Sequence, residues 1–171
     1  MSRFTLQQTT AELTALAARF GEGDDPRVVR AGALARARGH YTRTEFVRVC
    51  RWKTPRSAPR IAANGPAAIR RATATALTDP DEALRVAALL SLDGVGFPTA
   101  STLLHFAFPE AYPILDVRAL ETLGYTGSAS YTIPFWLEYV DTCRRLAAKH
   151  ALSLRTLDKA LWQASRDASP L

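Results

Sequence analysis

The sequence is poor in cysteine and has no long apolar run. Cys50 and Cys143 are the two cysteines among 171 residues, too few for a disulfide framework or a four-thiolate iron–sulfur cluster. No stretch approaches the ~20 apolar residues that a membrane span needs. The first residues, Met-Ser-Arg-Phe-Thr-Leu-Gln-Gln, lack the apolar segment of a signal peptide. The sequence therefore predicts a protein of the reducing cytoplasm without membrane contact.

Metal-ligand clusters and alternating strand patterns are also missing. The histidines His40, His105 and His150 are scattered, and no His/Cys/carboxylate group has ligand spacing. We therefore expect no metal site. No segment alternates apolar and polar residues over the length of a strand, which favours an all-α fold.

Lysine is rare although the chain is basic. It has 19 arginines and 3 lysines, and its net charge is +6. Residues 1–80 carry 14 Lys and Arg against 6 Asp and Glu, whereas residues 81–171 carry 8 against 10. A basic half suits a polyanion partner, because neutralising phosphates releases counterions. The alternative is that the arginines reflect a GC-rich coding bias, so charge alone does not decide.

Capping residues and helical periodicity predict a succession of helices. Asp25-Pro26 and Asp79-Pro80 are cap-plus-proline pairs, and Thr42 with Glu45 has the spacing of a capping box. A polar loop is expected over 125–131. We expect one all-α domain over 1–171, with a basic half 1–80, a central segment 84–124 and C-terminal helices within 133–167. The predicted helices cover about 6–20, 26–37, 42–53, 57–63, 66–77, 80–92, 98–106, 117–124, 133–149 and 154–167.

The most informative stretch is Leu92-Asp-Gly-Val-Gly-Phe-Pro-Thr-Ala100. Gly94 and Gly96 permit positive φ and leave no Cβ in the way of an incoming group. Val95 between them is expected to point into the core. The amides of both glycines and of Thr99 precede or begin a helix, where unpaired N–H groups suit a phosphate. Such a clamp grips backbone without reading bases. The alternative is an ordinary tight turn between two helices.

A second motif follows the hairpin at a set distance. Ala111-Tyr-Pro-Ile-Leu-Asp116 ends in a carboxylate 20 residues after Gly96. Together, the two motifs resemble the helix-hairpin-helix (HhH-GPD) DNA glycosylase superfamily over residues 84–124, and the Asp116 segment is similar to that of mismatch adenine glycosylases. The resemblance implies an HhH-GPD-like helical array, base-excision repair on double-stranded DNA and a catalytic role for Asp116. The structural alternative for Asp116 is an N-cap of the following helix.

Departures from the family pattern limit the expected chemistry. Bifunctional members carry a lysine nucleophile two residues after the second hairpin glycine, and this chain has Pro98 there. The resemblance therefore implies a monofunctional glycosylase without a lyase step. It also implies no iron–sulfur cluster, since the four-cysteine tail is absent. Hairpins of this family often hold a monovalent cation on main-chain carbonyls, here around residues 92–97. We expect a nucleoid-associated monomer.

Further candidates each have a structural alternative. Arg118 is expected to contact phosphate or to pair with Glu121 one helical turn on. Glu45 is a general-acid candidate by residue type, but its capping-box role is favoured. Aromatic side chains could stack on an extruded base or wedge the duplex, although such residues more often belong to the core. They are Tyr112, Tyr131, Trp52, Trp136 and Phe135, with Trp162 expected in the core.

Three hypotheses follow. The first is a monofunctional DNA glycosylase that uses Asp116. The second is a non-catalytic DNA-binding module that keeps the clamp and binds without sequence preference. The third is a protein-interaction domain of stacked helices, which would not bind DNA at moderate salt.

Overall fold

The computed structural model describes residues 3–21, 23–128 and 130–169, and every regular element within them is a helix. The all-α prediction is therefore confirmed. No helix in this described part is both long and apolar enough to cross a bilayer. The α-helices are α1 Thr10–Arg19, α2 Pro26–Arg38, α3 Arg43–Lys53, α4 Ala58–Ala63, α5 Pro66–Thr78, α6 Glu82–Leu90, α7 Phe97–Ala107, α8 Val117–Thr122, α9 Ile133–Lys149 and α10 Leu154–Ala168, with a 3₁₀ turn at Pro55–Ser57.

Most helix starts lie where capping chemistry predicts them. The Asp25 side chain caps α2, and Thr42 and Glu45 form a capping box on α3. One prediction was wrong: Asp81 rather than Asp79 caps α6, because the Asp79 carboxylate accepts from the Asp81 amide and turns the chain first. Helix α1 begins only at Thr10, so residues 6–9 are not helical. Of the loop predicted over 125–131, residue 129 lies outside the described residues.

The chain forms two compact units. The first, called the hairpin unit, is Asp24–Pro109, and the second, called the aspartate unit, comprises residues 1–23 and 110–171. The hairpin unit contains α2 to α7, and the aspartate unit contains α1 and α8 to α10. The unit boundaries coincide neither with the basic half 1–80 nor with the central segment 84–124.

Helix α7 forms the centre of the hairpin unit. All nine residues from Thr99 to Ala107 are buried, and they include four polar side chains, those of Thr99, Ser101, Thr102 and His105. Helix α2 crosses it closely at Gly32, where an added Cβ would lie 2.1 Å from the carbonyl oxygen of Phe106. The phenol of Tyr41 donates to the Leu103 carbonyl at 2.7 Å. The hairpin at the start of α7 is therefore held by a buried and tightly packed helix.

The aspartate unit is built around the amphipathic helix α10. It packs against α1, α8 and α9, and its apolar side buries Leu157 and Leu161 completely. A second cluster forms around Phe4, whose ring meets Phe135 and Tyr139 edge-on, with centroids 5.4 and 5.9 Å away. This packing holds the chain segment that leads to Asp116.

Candidate nucleic-acid interface

The hairpin turns at Gly94. This residue has φ +77°, and an added Cβ would lie 3.0 Å from Cβ of Arg60 and 3.1 Å from the backbone nitrogen of Ile61. Both the backbone angle and the close approach therefore call for glycine. Gly96 is extended, with φ −101° and ψ −179°, so the expectation of positive φ is correct for Gly94 alone. Val95 is 8% exposed and faces the core as predicted.

Asn64 holds the hairpin from the side, a role that the sequence analysis missed. Its side-chain nitrogen donates to the Asp93 carbonyl at 2.9 Å, and its side-chain oxygen accepts from the Asp93 amide at 2.9 Å. The amide side chain also donates to the Ile61 carbonyl. Asn64 is buried, so these bonds are shielded from water and fix the turn.

The hairpin borders an open groove of about 350 Å³, lined also by Thr54, Ser57 and Arg60. Within the described part of the chain, the amides of Gly94, Gly96 and Thr99 donate to no protein acceptor. Their N–H groups join the positive end of α7 and the exposed Arg60 side chain, a combination that suits a phosphate. The Thr99 hydroxyl does not belong to this phosphate site, because Thr99 is buried and its hydroxyl lies 3.0 Å from the Thr54 hydroxyl.

Three hairpin carbonyls already have protein partners. Leu92 accepts from the Val95 amide, Asp93 from Asn64, and Gly96 from the Ala100 amide. Each carbonyl keeps a second lone pair. A monovalent cation on the carbonyls of 92–97 therefore stays a prediction.

The hairpin unit carries the net charge of the protein. Residues 24–109 contain 13 Lys and Arg against 7 Asp and Glu, whereas the remaining residues contain nine of each. The positive surplus therefore belongs to the unit that contains the hairpin groove. A coding bias alone would not place the surplus in one unit. A unit of net charge +6 attracts polyanions from a distance.

The segment before Asp116 is non-helical, and most of it is buried. Its backbone is held on both sides, because the Tyr139 hydroxyl donates to the Ile114 carbonyl at 2.9 Å and the Asp158 carboxylate accepts from the Ile114 amide at 3.1 Å. Arg144 donates to the Ala111 carbonyl at 2.7 Å. Residues 112–115 are buried, and Asp116 is the half-buried residue at which the segment emerges. The segment thus presents one carboxylate on a rigid support.

Asp116 caps α8. Its side chain accepts from the Arg118 amide at 3.0 Å, so the capping alternative is confirmed without excluding a second role. Tyr131 is half-buried nearby: burial raises the pKa of its phenol, and the negative charge of Asp116 raises it further. At neutral pH the phenol is therefore protonated and can donate a hydrogen bond in the neighbourhood of the carboxylate.

Arg118 is not ion-paired with Glu121. Its guanidinium donates to the Ser165 hydroxyl at 3.5 Å and lies 5.3 Å from the centre of the Trp162 ring. The Ser165 hydroxyl in turn donates to the Glu121 carboxylate. The Ser165 hydroxyl therefore lies between the two charged side chains and bonds to both. Arg118 is partly exposed. Contact of Arg118 with phosphate stays a prediction.

The aromatic candidates separate into buried and accessible rings. Trp136 is 0% and Tyr112 is 3% exposed, and they stack on each other with centroids 5.9 Å apart. Neither ring has a face open to a base in this structure, which favours the core alternative for both residues. Phe135 is also buried. Trp52 and Tyr131 are partly exposed and remain candidates.

Trp162 departs from its expected place in the core. It is partly exposed and meets Phe20 edge-on at 5.1 Å between centroids. The guanidinium of Arg166 lies 5.4 Å from the centre of its ring.

Glu45 serves the capping box rather than acid catalysis. Its carboxylate accepts from the Thr42 amide at 2.9 Å and from the two terminal nitrogens of Arg38 at 2.8 and 3.1 Å. Burial alone would raise the pKa of Glu45, but the hydrogen bonds from Arg38 and Thr42 outweigh it and lower the pKa below its ordinary value. A carboxyl that holds its negative charge this firmly is a poor proton donor.

The Glu45 carboxylate gives a pH-dependent stability prediction. We expect Glu45→Gln to lower the free energy of unfolding by about 1–2 kcal/mol at pH 7, because it removes the charge that Arg38 contacts. The folded-state pKa lies below the ordinary 4.5, so this stabilisation is complete above that pH and is lost as the pH falls through the folded-state pKa. Urea unfolding at pH 7 and pH 3 measures both effects.

A matched control for Glu45 lies on α1. Glu12 forms the same capping box with Thr9, but its side chain is exposed and no arginine contacts it within the described residues. Glu12→Gln should change stability less than Glu45→Gln. Equal losses, or a Glu45→Gln deficit that does not shrink as the pH is lowered below 4.5, would contradict the role of the Arg38 contact.

The described residues contain no cluster of three or more His, Cys, Asp and Glu side chains placed to hold a metal ion. Cys50 and Cys143 are buried free thiols, and burial raises the pKa of both. His105 is buried, and His150 is within 2.7 Å of the Thr10 hydroxyl.

Comparison with known proteins adds no relative. No protein-family model, curated protein or solved structure matches this chain. The geometry of the hairpin and of the Asp116 segment is therefore what indicates a function.

Proposed function

We propose that this protein binds double-stranded DNA through its phosphate backbone and removes a damaged or mispaired base by hydrolysis of the N-glycosidic bond. The hairpin amides of Gly94, Gly96 and Thr99 hold a phosphate, and Asp116 serves the chemistry. The observation that carries the proposal is the groove at the start of α7, where the hairpin amides have no protein acceptor within the described residues and the Arg60 side chain lies beside them.

Backbone binding accounts for several features at once. The groove offers N–H groups and a guanidinium, which recognise phosphate and not base edges. The unit that contains it has the entire net charge of the protein. Binding should therefore be independent of sequence and should weaken steeply as salt is raised.

Asp116 supports the catalytic part of the proposal. Departure of a base builds positive charge on the sugar, and a nearby carboxylate stabilises this charge or orients the attacking water. Stabilisation of this kind requires a carboxylate whose position does not relax. The bonds from Tyr139 and Asp158 to Ile114 supply that rigidity two residues before Asp116.

Pro98 favours hydrolysis alone. It lines the groove next to Gly96, and its ring has neither an amine nor a hydroxyl that could attack the sugar. The proposed product is therefore an abasic site in an intact strand.

A base-release assay tests the whole proposal. Duplexes with a single 8-oxoguanine, an adenine opposite 8-oxoguanine, uracil, hypoxanthine or an alkylated purine are incubated with the protein and then treated with hot alkali. We expect cleavage at one class of lesion after alkali and no nick before it. A nick before alkali would contradict the monofunctional mechanism.

The second candidate is a non-catalytic DNA-binding module. It is favoured by the engagement of the Asp116 carboxylate as the cap of α8 and by the burial of Tyr112 and Trp136, which removes two rings from any base pocket. The same duplexes distinguish the candidates. Salt-sensitive binding without base release from any lesion would support the module, whereas absence of binding at moderate salt would overturn both.

A further inference from the structure

A second groove in the hairpin unit is lined by arginines. It has a volume of about 570 Å³ and is formed by the chain at the start of α2, by α3 and by α4. Four guanidinium groups line it, with one carboxylate, and the lining arginines are Arg27, Arg43, Arg48 and Arg51. This groove is separate from the hairpin groove, with which it shares no lining residue.

The single carboxylate is already neutralised. Asp25 accepts from the Arg27 amide at 2.8 Å and from the Arg27 guanidinium at 3.1 and 2.9 Å. These bonds, and the charge of Arg48 to a smaller degree, lower the pKa of Asp25. Three of the four arginines therefore have no carboxylate of their own in the groove.

The remaining arginines are available to a ligand. Arg43 is oriented by a 2.8 Å hydrogen bond to the Ala62 carbonyl across the groove. Arg48 and Arg51 are exposed, and within the described residues their side chains make no hydrogen bond or ion pair. Because their N–H groups are not used in protein hydrogen bonds in the described part of the chain, these guanidinium groups can bind phosphate bidentately.

An indole completes the wall of this groove. Trp52 is partly exposed and lines the groove next to Arg51. The Phe106 ring packs edge-on against the indole, with 5.1 Å between the ring centroids and 86° between the ring planes, and this contact fixes the orientation of Trp52. Val47 adds apolar surface. The groove thus combines cations with a fixed aromatic platform, the pairing by which proteins hold unpaired nucleotides.

We propose that this arginine groove binds a segment of single-stranded nucleic acid, with its phosphates on Arg43, Arg48 and Arg51 and a base stacked on Trp52. A concave site of this volume accommodates ligands of nucleotide size, whereas the stacked bases of a duplex cannot reach an indole in a groove wall. The inference does not depend on the proposed glycosylase activity, since it uses neither Asp116 nor the hairpin.

Fluorescence anisotropy with labelled dT20, U20 and a 20-base-pair duplex tests the proposal. We expect Arg48→Gln/Arg51→Gln to weaken single-strand binding about tenfold or more and to reduce the slope of log K against log salt by about 1.4, for two lost phosphate contacts. Duplex binding should change much less. The control is Arg70→Gln/Lys149→Gln, which removes the same charge at exposed positions outside the groove.

Trp52 provides a spectroscopic signature. Stacking should quench its fluorescence when dT20 or U20 binds. Trp52→Phe should abolish this quenching and weaken single-strand binding about tenfold, while Trp136 and Trp162 still report that the chain is folded. Inorganic polyphosphate should bind without the quenching.

The outcomes are decisive in both directions. Preference for U20 over dT20 would support RNA as the natural strand, the reverse would support DNA, and equal affinity would support recognition of the shared backbone. Equal losses in the arginine variant and its control would overturn the proposal, as would unchanged quenching in Trp52→Phe or polyphosphate binding as tight as that of dT20. Loss of base release without loss of single-strand binding would concern the glycosylase proposal alone.

Discussion

Asp116→Asn is expected to reduce base release by at least about 10²-fold while DNA binding persists or tightens. The loss follows because an amide lacks the negative charge that stabilises the oxocarbenium-like sugar, and removal of one such electrostatic group costs about 10²–10³ in rate. Binding persists because the hairpin is unaltered, and removal of a negative charge favours a polyanion. Single-turnover release at saturating protein, with a parallel duplex-binding titration, separates the two effects.

The fold should survive this substitution. Asp116 accepts from the Arg118 amide, and asparagine is as good an N-cap as aspartate. The best control is Asp81→Asn, because Asp81 caps α6 in the same way by accepting from the Ala83 amide at 2.8 Å. Both variants exchange a capping carboxylate for an amide, so the difference between them isolates the chemistry from the capping.

Two results would count against the catalytic role. If Asp116→Asn released the base as fast as the wild type, the carboxylate would be only a helix cap. If Asp81→Asn lost as much activity, the loss would reflect helix stability and not charge at the sugar. In either case the DNA-binding module would become the better description.

Local chemistry explains why the helices were predictable. The cap of α2 at Asp25 and the capping box of Thr42 and Glu45 each involve groups within three residues of one another, so the pattern is visible in a short window. The error at α6 has the same origin. Asp79 and Asp81 are two possible N-caps separated by Pro80. Which of them caps α6 depends on the direction in which the chain leaves α5.

The long-range hydrogen bonds that hold the candidate site could not be predicted from short windows of sequence. Asn64 bonds to Asp93 over 29 residues, and Asp158 bonds to Ile114 over 44. Such pairs are visible only when the fold brings distant segments together. The burial of Tyr112 and Trp136 has the same cause, because each ring covers the other.

Part of the arginine groove is visible in the sequence as a helical pattern. Thr44, Val47, Arg48 and Arg51 recur at spacings of three, one and three residues, which places them on one side of α3. A charge count over the whole of residues 1–80 does not show that these arginines share one side of a helix. A helical projection of the arginines would have separated this face from the rest of the surface.

Gly94→Ala is expected to destabilise the protein and abolish tight duplex binding. The φ of +77° is strained for any residue with a Cβ and costs about 1–3 kcal/mol. The approach of Arg60 and Ile61 to 3.0–3.1 Å adds to this cost, because these neighbours must shift to accommodate the methyl group. The turn must therefore move, and its amides move with it. Urea unfolding measures the first effect and duplex anisotropy the second.

Gly96→Ala separates binding from folding at the same hairpin. Gly96 is extended, and the nearest atom to an added Cβ is Cδ of Pro98 at 3.8 Å, so stability should change by less than about 0.5 kcal/mol. The new methyl group nevertheless stands beside the amides that line the groove. Loss of a hydrogen bond to a charged phosphate should weaken duplex binding about tenfold or more. Unchanged binding in this stable variant would show that the hairpin is an ordinary turn between helices and that DNA is held elsewhere.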